Sequence, residues 1–368
     1  MSIFRNYLKR KYKFLIEILF KFFYGKINII SSNDLKKSLS IKKIKIDGIL
    51  YNIFNVRNFR LYTTSVHDQS VIVSNQLIPG PSFQLRVKES DNLYARNNGN
   101  IKENIVLKIG TPRIKKKIKG KVFSLLSGGA AKTNYFHWLF EVLPRLEILS
   151  QSENIENIDF FLLPSIKMSH HLETINLLNI PRKKLLDSNT YKHIQSDELY
   201  VVDHPFRLTN NTVYDTQNIP KWIFEWVREK FLKYKSAASF PEKIFIERSK
   251  SISTSRDIKN KEEVYRVFKD NNFSFIKPEN YSFRDQIKMF FSAKVIAGLH
   301  GAGFANICFC NSKTKIIEFK TKTTGMNSGN IALKTNLEYK DIICEAIDKF
   351  GGQQGKLIVP LEELKNKI

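Results

Sequence analysis

Lys294-Val295-Ile296-Ala297-Gly298 runs through Leu299 into His300-Gly301-Ala302-Gly303-Phe304-Ala305-Asn306. The first run is short and apolar, the composition of a buried parallel strand. The glycine-rich stretch after it reads as a tight turn into a helix start. Strand, turn and helix in that order present bare backbone N–H groups to a phosphate. Glycine lets a ligand approach the main chain closely. The spacing is not the dinucleotide fingerprint, which needs three glycines at fixed offsets and an acidic residue about 20 positions on. The stretch therefore points to a nucleotide or sugar-phosphate.

The same rhythm continues on both sides. Lys243-Ile244-Phe245-Ile246, Phe273-Ser274-Phe275-Ile276 and Lys315-Ile316-Ile317-Glu318-Phe319 read as strands. Helical patterns fill residues 260–269, 283–293 (capped by Ser282) and 303–309. Strands recurring every 20 to 25 residues between helices predict a parallel sheet with its ligand at the carboxyl ends of the strands. Lys235-Ser236-Ala237-Ala238-Ser239-Phe240-Pro241 has linker composition.

Upstream, residues 40–125 read as β-rich, with Ile44-Lys45-Ile46, Ile49-Leu50-Tyr51 and Val71-Ile72-Val73 as strands and Pro79-Gly80-Pro81 as a loop. Val122 to Leu126 is a strand ending at Gly128-Gly129. Strands and helices alternate from there, with strands at 160–163 and 199–202 and helices over 134–150 and 219–235. Pro144 is expected to kink or divide the first helix. The layout suggests an α/β protein of two Rossmann-like halves facing a cleft, with a β-rich N-terminal portion.

Three groups in the second half reach the carboxyl edge. Beside His300 to Gly303 lie Arg248, which ends a strand, and Arg256, eight residues on. An arginine matches phosphate oxygens bidentately and stays charged, although a loop arginine is most often a solvated charge. Glu318, near the end of the next strand, has a carboxylate that suits two ribose hydroxyls. In the first half, Asn134 is a helix cap. His137 falls in the first helical turn with Glu141 one turn on. A histidine with a carboxylate behind it is a general-base arrangement, and packing beside Trp138 is the plainer alternative. His170-His171 suggests no third metal ligand and reads as surface.

Bulk properties narrow the field. The 368 residues suffice for two domains. The net charge of +25 suggests nucleic acid, yet the basic residues are spread along the whole chain amid abundant Asn, Ile and Phe. Anionic membrane, anionic substrate and solubility account for it equally. Cys308, Cys310 and Cys344 have neither zinc nor disulfide spacing and fit small buried residues in a reducing cytosol. No Asp-x-Asp pair is present to hold a divalent cation, so no metal is expected and leaving-group charge falls to Arg and backbone amides.

Within residues 1–26, seven cations stand against Glu17, and Phe14, Leu15, Ile18, Leu19 and Phe22 fall at helical spacing. Charges interrupt the run too often for it to span a bilayer. The two readings are a basic amphipathic helix on an anionic leaflet and a helix packed on the protein's own core.

Asn134-Tyr135-Phe136-His137-Trp138-Leu139 followed by Leu143-Pro144-Arg145-Leu146 resembles glycosyltransferase family 61, in the branch of bacterial capsular polysaccharide biosynthesis proteins. Arg248, Arg256, Glu262-Glu263-Val264, Pro278-Glu279, Asp285-Gln286-Ile287, Ala293, His300 to Gly303, Asn306 and Ile317-Glu318 follow that family's order, and the similarity covers roughly residues 65–345. The resemblance implies a GT-B fold and an inverting, metal-independent transfer of sugar from a nucleotide-sugar to a hydroxyl of a glycan or lipid-linked glycan. It implies donor binding by Arg248, Arg256, His300, Gly301, Ala302, Gly303, Asn306 and Glu318. His137 and Glu141, with Asn134, Tyr135 and Trp138, fall on the acceptor side. The expected domains are a basic segment (1–30), an acceptor-side domain (31–235), a donor domain (242–350) and a tail or helix (351–368). A cytoplasmic enzyme, peripheral on the inner membrane face through residues 1–26 and without nucleic acid, is the resulting expectation. A polysaccharide pyruvyltransferase and a basic nucleic-acid-binding protein are the alternatives.

Overall fold

The computed structural model describes residues 2–30, 38–88, 94–96, 100–126, 131–209, 211–235, 240–248, 256–347 and 355–368. The chain forms two compact units, Met1–Leu172 with Asn179–Asn211, and Glu173–Leu178 with Thr212–Ile368. The expected turn at Gly128-Gly129, Ser249 and most of the linker (236–239) lie outside the described residues.

The second unit holds a five-stranded, wholly parallel sheet. Its order is Ser274–Ile276, Lys243–Ile246, Val295–Leu299, Lys315–Lys320, Glu338–Ile343. Numbered along the chain, that is 2-1-3-4-5, a doubly wound order. Side chains alternate across it, as a pleated strand requires. Phe245, Ala297, Ile317 and Phe319 pack with Val264 and Phe268 of helix Lys261–Asp270 and Leu364 of helix Leu361–Lys367. Ile244, Ile246, Ile296 and Ile316 are buried on the opposite face.

This unit begins earlier than the linker suggests. Helix Lys221–Leu232 packs in it through Phe231, whose ring meets Phe283 at 5.0 Å and Phe309 at 6.4 Å. Arg228 Nη1 donates to the carbonyls of Cys308 and Cys310 at 2.5 and 2.9 Å. Glu173 accepts the Phe283 N–H at 2.5 Å, capping helix Phe283–Ser292 and tying residues 173–178 to this unit. All three cysteines are free and buried. The helix expected at 303–309 is a 3₁₀ helix, Ala302–Phe309.

In the first unit a six-stranded sheet runs Leu185–Asp187, Phe160–Leu163, Lys121–Ser124, Glu198–Val202, Ile49–Arg57, Leu39–Ile46. The first four are parallel, and in their chain order they read 3-2-1-4. The last two form an antiparallel hairpin closed at Asp47-Gly48. Both turn residues have positive φ, 49° and 81°, the type I′ geometry that Asp-Gly favours. A second sheet carries Asp68–Val73, Phe59–Tyr62 and His193–Gln195, and a shared core of Phe54, Val71, Val122, Leu162 and Leu199 lies between the two.

Helix Ser2–Tyr24 docks one side of its C-terminal half on this unit. Tyr24 stacks edge-on to His193 at 5.1 Å, under the Arg60 guanidinium at 5.3 Å. Gly25, at φ 77°, ends it, and a Cβ there would meet Asn75 Nδ2 at 2.3 Å. Among the described residues no helix is long and apolar enough to cross a membrane.

Candidate functional site

In the second unit the chain moves to one side after Lys243–Ile246 and to the other after Val295–Leu299, two neighbouring strands. A crevice opens at the carboxyl ends where an open parallel sheet reverses its order in this way. Arg248 follows the first strand and His300 the second. Arg248 Nη1 donates to the His300 carbonyl at 2.6 Å, and Arg256 Nη1 reaches the same oxygen at 3.3 Å. A Cβ on Gly301 would lie 2.3 Å from Arg248 Nη1, so the glycine is what admits the guanidinium. Burial lowers the Arg248 pKa. Burial, then the charge of Arg248, brings Arg256 down to about 10. Two part-buried cations on one neutral carbonyl make a locally positive site.

His300 Nδ1 lies 2.7 Å from Glu318 Oε1. That oxygen also accepts from Ser328 Oγ at 2.6 Å, and Oε2 accepts from Tyr339 at 2.5 Å. Burial would raise the Glu318 pKa, but these donors and the His300 ring outweigh it and hold it below the ordinary carboxylate value. Burial and the adjacent carboxylate push the Tyr339 phenol far up, so it keeps its proton. An ionised acceptor places the imidazole proton on Nδ1 and leaves Nε2 as the basic nitrogen.

The first unit has its own reversal, between Lys121–Ser124 and Glu198–Val202. After the first strand, Asn134 accepts the N–H groups of Phe136 and His137 and caps the turn Tyr135–His137. A π-helical turn follows, Trp138–Val142, and helix Arg145–Ser150 starts beyond Pro144. Such wide turns are frequent at functional sites. Pro144 has no N–H, and the Glu141 carbonyl accepts from the Arg145 side chain, Nε at 3.2 Å. After the second strand come His204 and Arg207.

These residues surround Glu141, which is 0% exposed. His137 Nδ1 is 2.6 Å from Oε1, Arg207 Nη2 is 3.3 Å from the same oxygen, and His204 Nε2 is 3.5 Å from Oε2. Burial opposes the carboxylate charge. The charges of His137 and Arg207, with hydrogen bonds from His137 and His204, override it and set Glu141 well below the usual range. His204 Nδ1 accepts the backbone N–H groups of Phe206 and Arg207, so its proton is on Nε2. Burial, then Arg207, takes His204 down to about 3, and it is neutral at physiological pH. Burial lowers Arg145 to about 10. A histidine held on an ionised carboxylate, with Nε2 basic and its side chain 23% exposed, can take up a proton from a hydroxyl.

Several residues singled out in the sequence do other work. Glu318 gives both oxygens to protein donors, so it holds His300 and is not presented to a ribose. Asn306 is buried and donates to Gln286 at 2.8 Å. Trp138 is 0% exposed and stacks against His171 at 4.1 Å, so it has no surface for an acceptor. The His170-His171 pair, expected at the surface, packs around Trp138 and the Tyr135 ring, and His171 is fully buried. Among the described residues no three His, Cys, Asp or Glu side chains gather as metal ligands. His204, Arg207 and Arg145 were not picked out as site residues. The signal for the first two was their place just after strand 199–202, on the edge that binds ligands.

Residues 135–317 match the family model described as Glycosyltransferase 61, a stretch that holds His137, Glu141, Arg207, Arg248, Arg256 and His300. Comparison with curated proteins finds no match. By the family match the protein is a glycosyltransferase.

Proposed function

We propose that this glycosyltransferase transfers a sugar, with inversion and without a metal ion, from a nucleoside-diphosphate donor to a hydroxyl of a growing surface polysaccharide or glycolipid. The observation that carries it is the meeting of Arg248, Arg256 and the glycine-rich turn at His300 where the parallel sheet reverses. The diphosphate oxygens take the guanidinium N–H groups and the backbone amides beyond Gly301. His137 Nε2 removes the proton of the acceptor hydroxyl as its oxygen attacks the anomeric carbon. The bond from that carbon to the diphosphate oxygen breaks on the opposite face, and its electron pair leaves with the phosphate. Glu141 stabilises the imidazolium that forms, and Arg248 and Arg256 stabilise the departing charge. Cations in this role make a divalent ion unnecessary. In this scheme the two units are the donor and acceptor halves of a GT-B enzyme of the cytoplasmic side, and the capsular role is the one the resemblance suggests.

Calorimetric titration with nucleoside diphosphates in the presence of EDTA tests the donor site. Wild type should bind one or more of them, and Arg248→Ala should lose about 10²–10³ in turnover, the usual cost of one charge-stabilising donor. Tight binding of phosphoenolpyruvate in place of every nucleotide would reassign the protein to pyruvyl transfer.

A further inference from the structure

Helix Ser2–Tyr24 carries a large apolar face that the protein does not cover. Every residue from Phe4 to Leu15 is exposed, so this half of the helix projects from the unit that holds its other end. In the second half only Ile16, Glu17, Phe20, Lys21 and Tyr24 turn inward. Phe22 is 84% exposed, and Phe4, Phe14, Leu15 and Phe23 each exceed 60%. At 3.6 residues per turn these side chains, with Leu8, Ile18 and Leu19, fall within roughly half the circumference. A patch of this kind on a soluble surface marks an interaction site.

The charges say which partner fits. Arg5, Lys9, Arg10, Lys11, Lys13 and Lys21 stand on this helix against Glu17 alone. A second copy would bring two such helices together, cation against cation. An anionic bilayer accepts both features: aromatic and aliphatic side chains enter the headgroup boundary while lysine stems extend their ammonium groups to the phosphates. Independently of the donor site, we infer that the outward face of helix Ser2–Tyr24 lies flat in an anionic lipid leaflet and holds the enzyme at a membrane surface.

Cosedimentation of the full chain with vesicles tests this. Removing the helix would also remove Tyr24 from beneath Arg60, so substitutions on the outward face are the cleaner probe. Wild type should pellet with vesicles containing about one-third phosphatidylglycerol and much less with phosphatidylcholine alone. Leu15→Glu with Phe22→Glu should weaken partitioning about tenfold or more, with circular dichroism and melting temperature unchanged. Arg5→Glu with Lys11→Glu, the cations at the edge of and within that face, should weaken it by at least fivefold per residue, as a cation near an anionic leaflet predicts. Wild type left in the supernatant, equal binding to neutral vesicles, or undiminished binding of the Leu15/Phe22 variant would each overturn the inference. A dimer in light scattering that only this variant abolishes would give the face to a second copy instead.

Discussion

Each unit hangs a histidine on a buried glutamate at the mouth of its parallel strands, His137 on Glu141 at 2.6 Å and His300 on Glu318 at 2.7 Å. The carboxylates differ in how they are surrounded. Glu141 comes from the same helical segment as its histidine; Arg207 and His204 reach its carboxylate, and Arg145 Nε bonds its main-chain carbonyl. Glu318 comes from the neighbouring strand, and its other partners are two hydroxyls, Ser328 and Tyr339. There the arginines act on the histidine's main-chain carbonyl, not on the glutamate. In the proposed reaction the same ring-carboxylate pair serves two ends: with a cation on the carboxylate it would accept a proton and stabilise the charged form, and with cations on its own backbone it would fix the turn that an anion meets.

If the two pairs are divided in this way, variants should separate chemistry from donor binding. The largest effect is expected from His137→Ala, which should cut turnover by about 10²–10⁴ while nucleoside-diphosphate affinity stays at the wild-type value. A parallel fall in that affinity would break the division. A smaller effect should follow Gly301→Ala. The new methyl displaces the end of a flexible arginine, so melting temperature should hardly change, while turnover falls about 10²-fold through a misplaced guanidinium. Unchanged activity in this variant would mean that Arg248 does not need its observed position.

The smallest contrast concerns acid. Six of the seven histidines are in the first unit. Burial takes His170 and His193 down to about 4, and His171 and His204 down to about 3. A group depressed in the folded state contributes stability above its unfolded value and loses it as pH falls toward the folded one. From about pH 6.5 downward the first unit should therefore lose on the order of 1–2 kcal/mol per buried histidine by pH 5. In the second unit the depressed group is Glu318, whose contribution is lost as pH falls through the carboxylate range. Calorimetry at pH 7 and pH 5 should show one transition moving first; both moving equally would erase the contrast.

Much of the second unit was legible because its strands are continuous apolar runs and its turn is marked by glycine. Asn134 as a cap and Pro144 as a divider were also readable, since both act through local backbone chemistry. Long-range features were not. Glu173 meets the second unit by capping a helix 110 residues away, and nothing near it in sequence says so. His171 looked like surface because its partner, Trp138, lies on another element. The π-turn left no mark either, since Trp138 to Val142 is ordinary helical composition. His204 and Arg207 were within reach of the strand-end rule, but no glycine drew the eye to them.

The wide turn at Trp138–Val142 makes chain length, more than composition, the fragile property of this segment. Removing one residue there would close a regular turn in place of the wide one, in which the Leu143 N–H meets the Trp138 carbonyl, and would change the position from which Glu141 meets His137 and gives its carbonyl to Arg145. Homologous chains should therefore exchange Leu139 or Val142 for other apolar residues freely, yet keep the count from 137 to 145 constant.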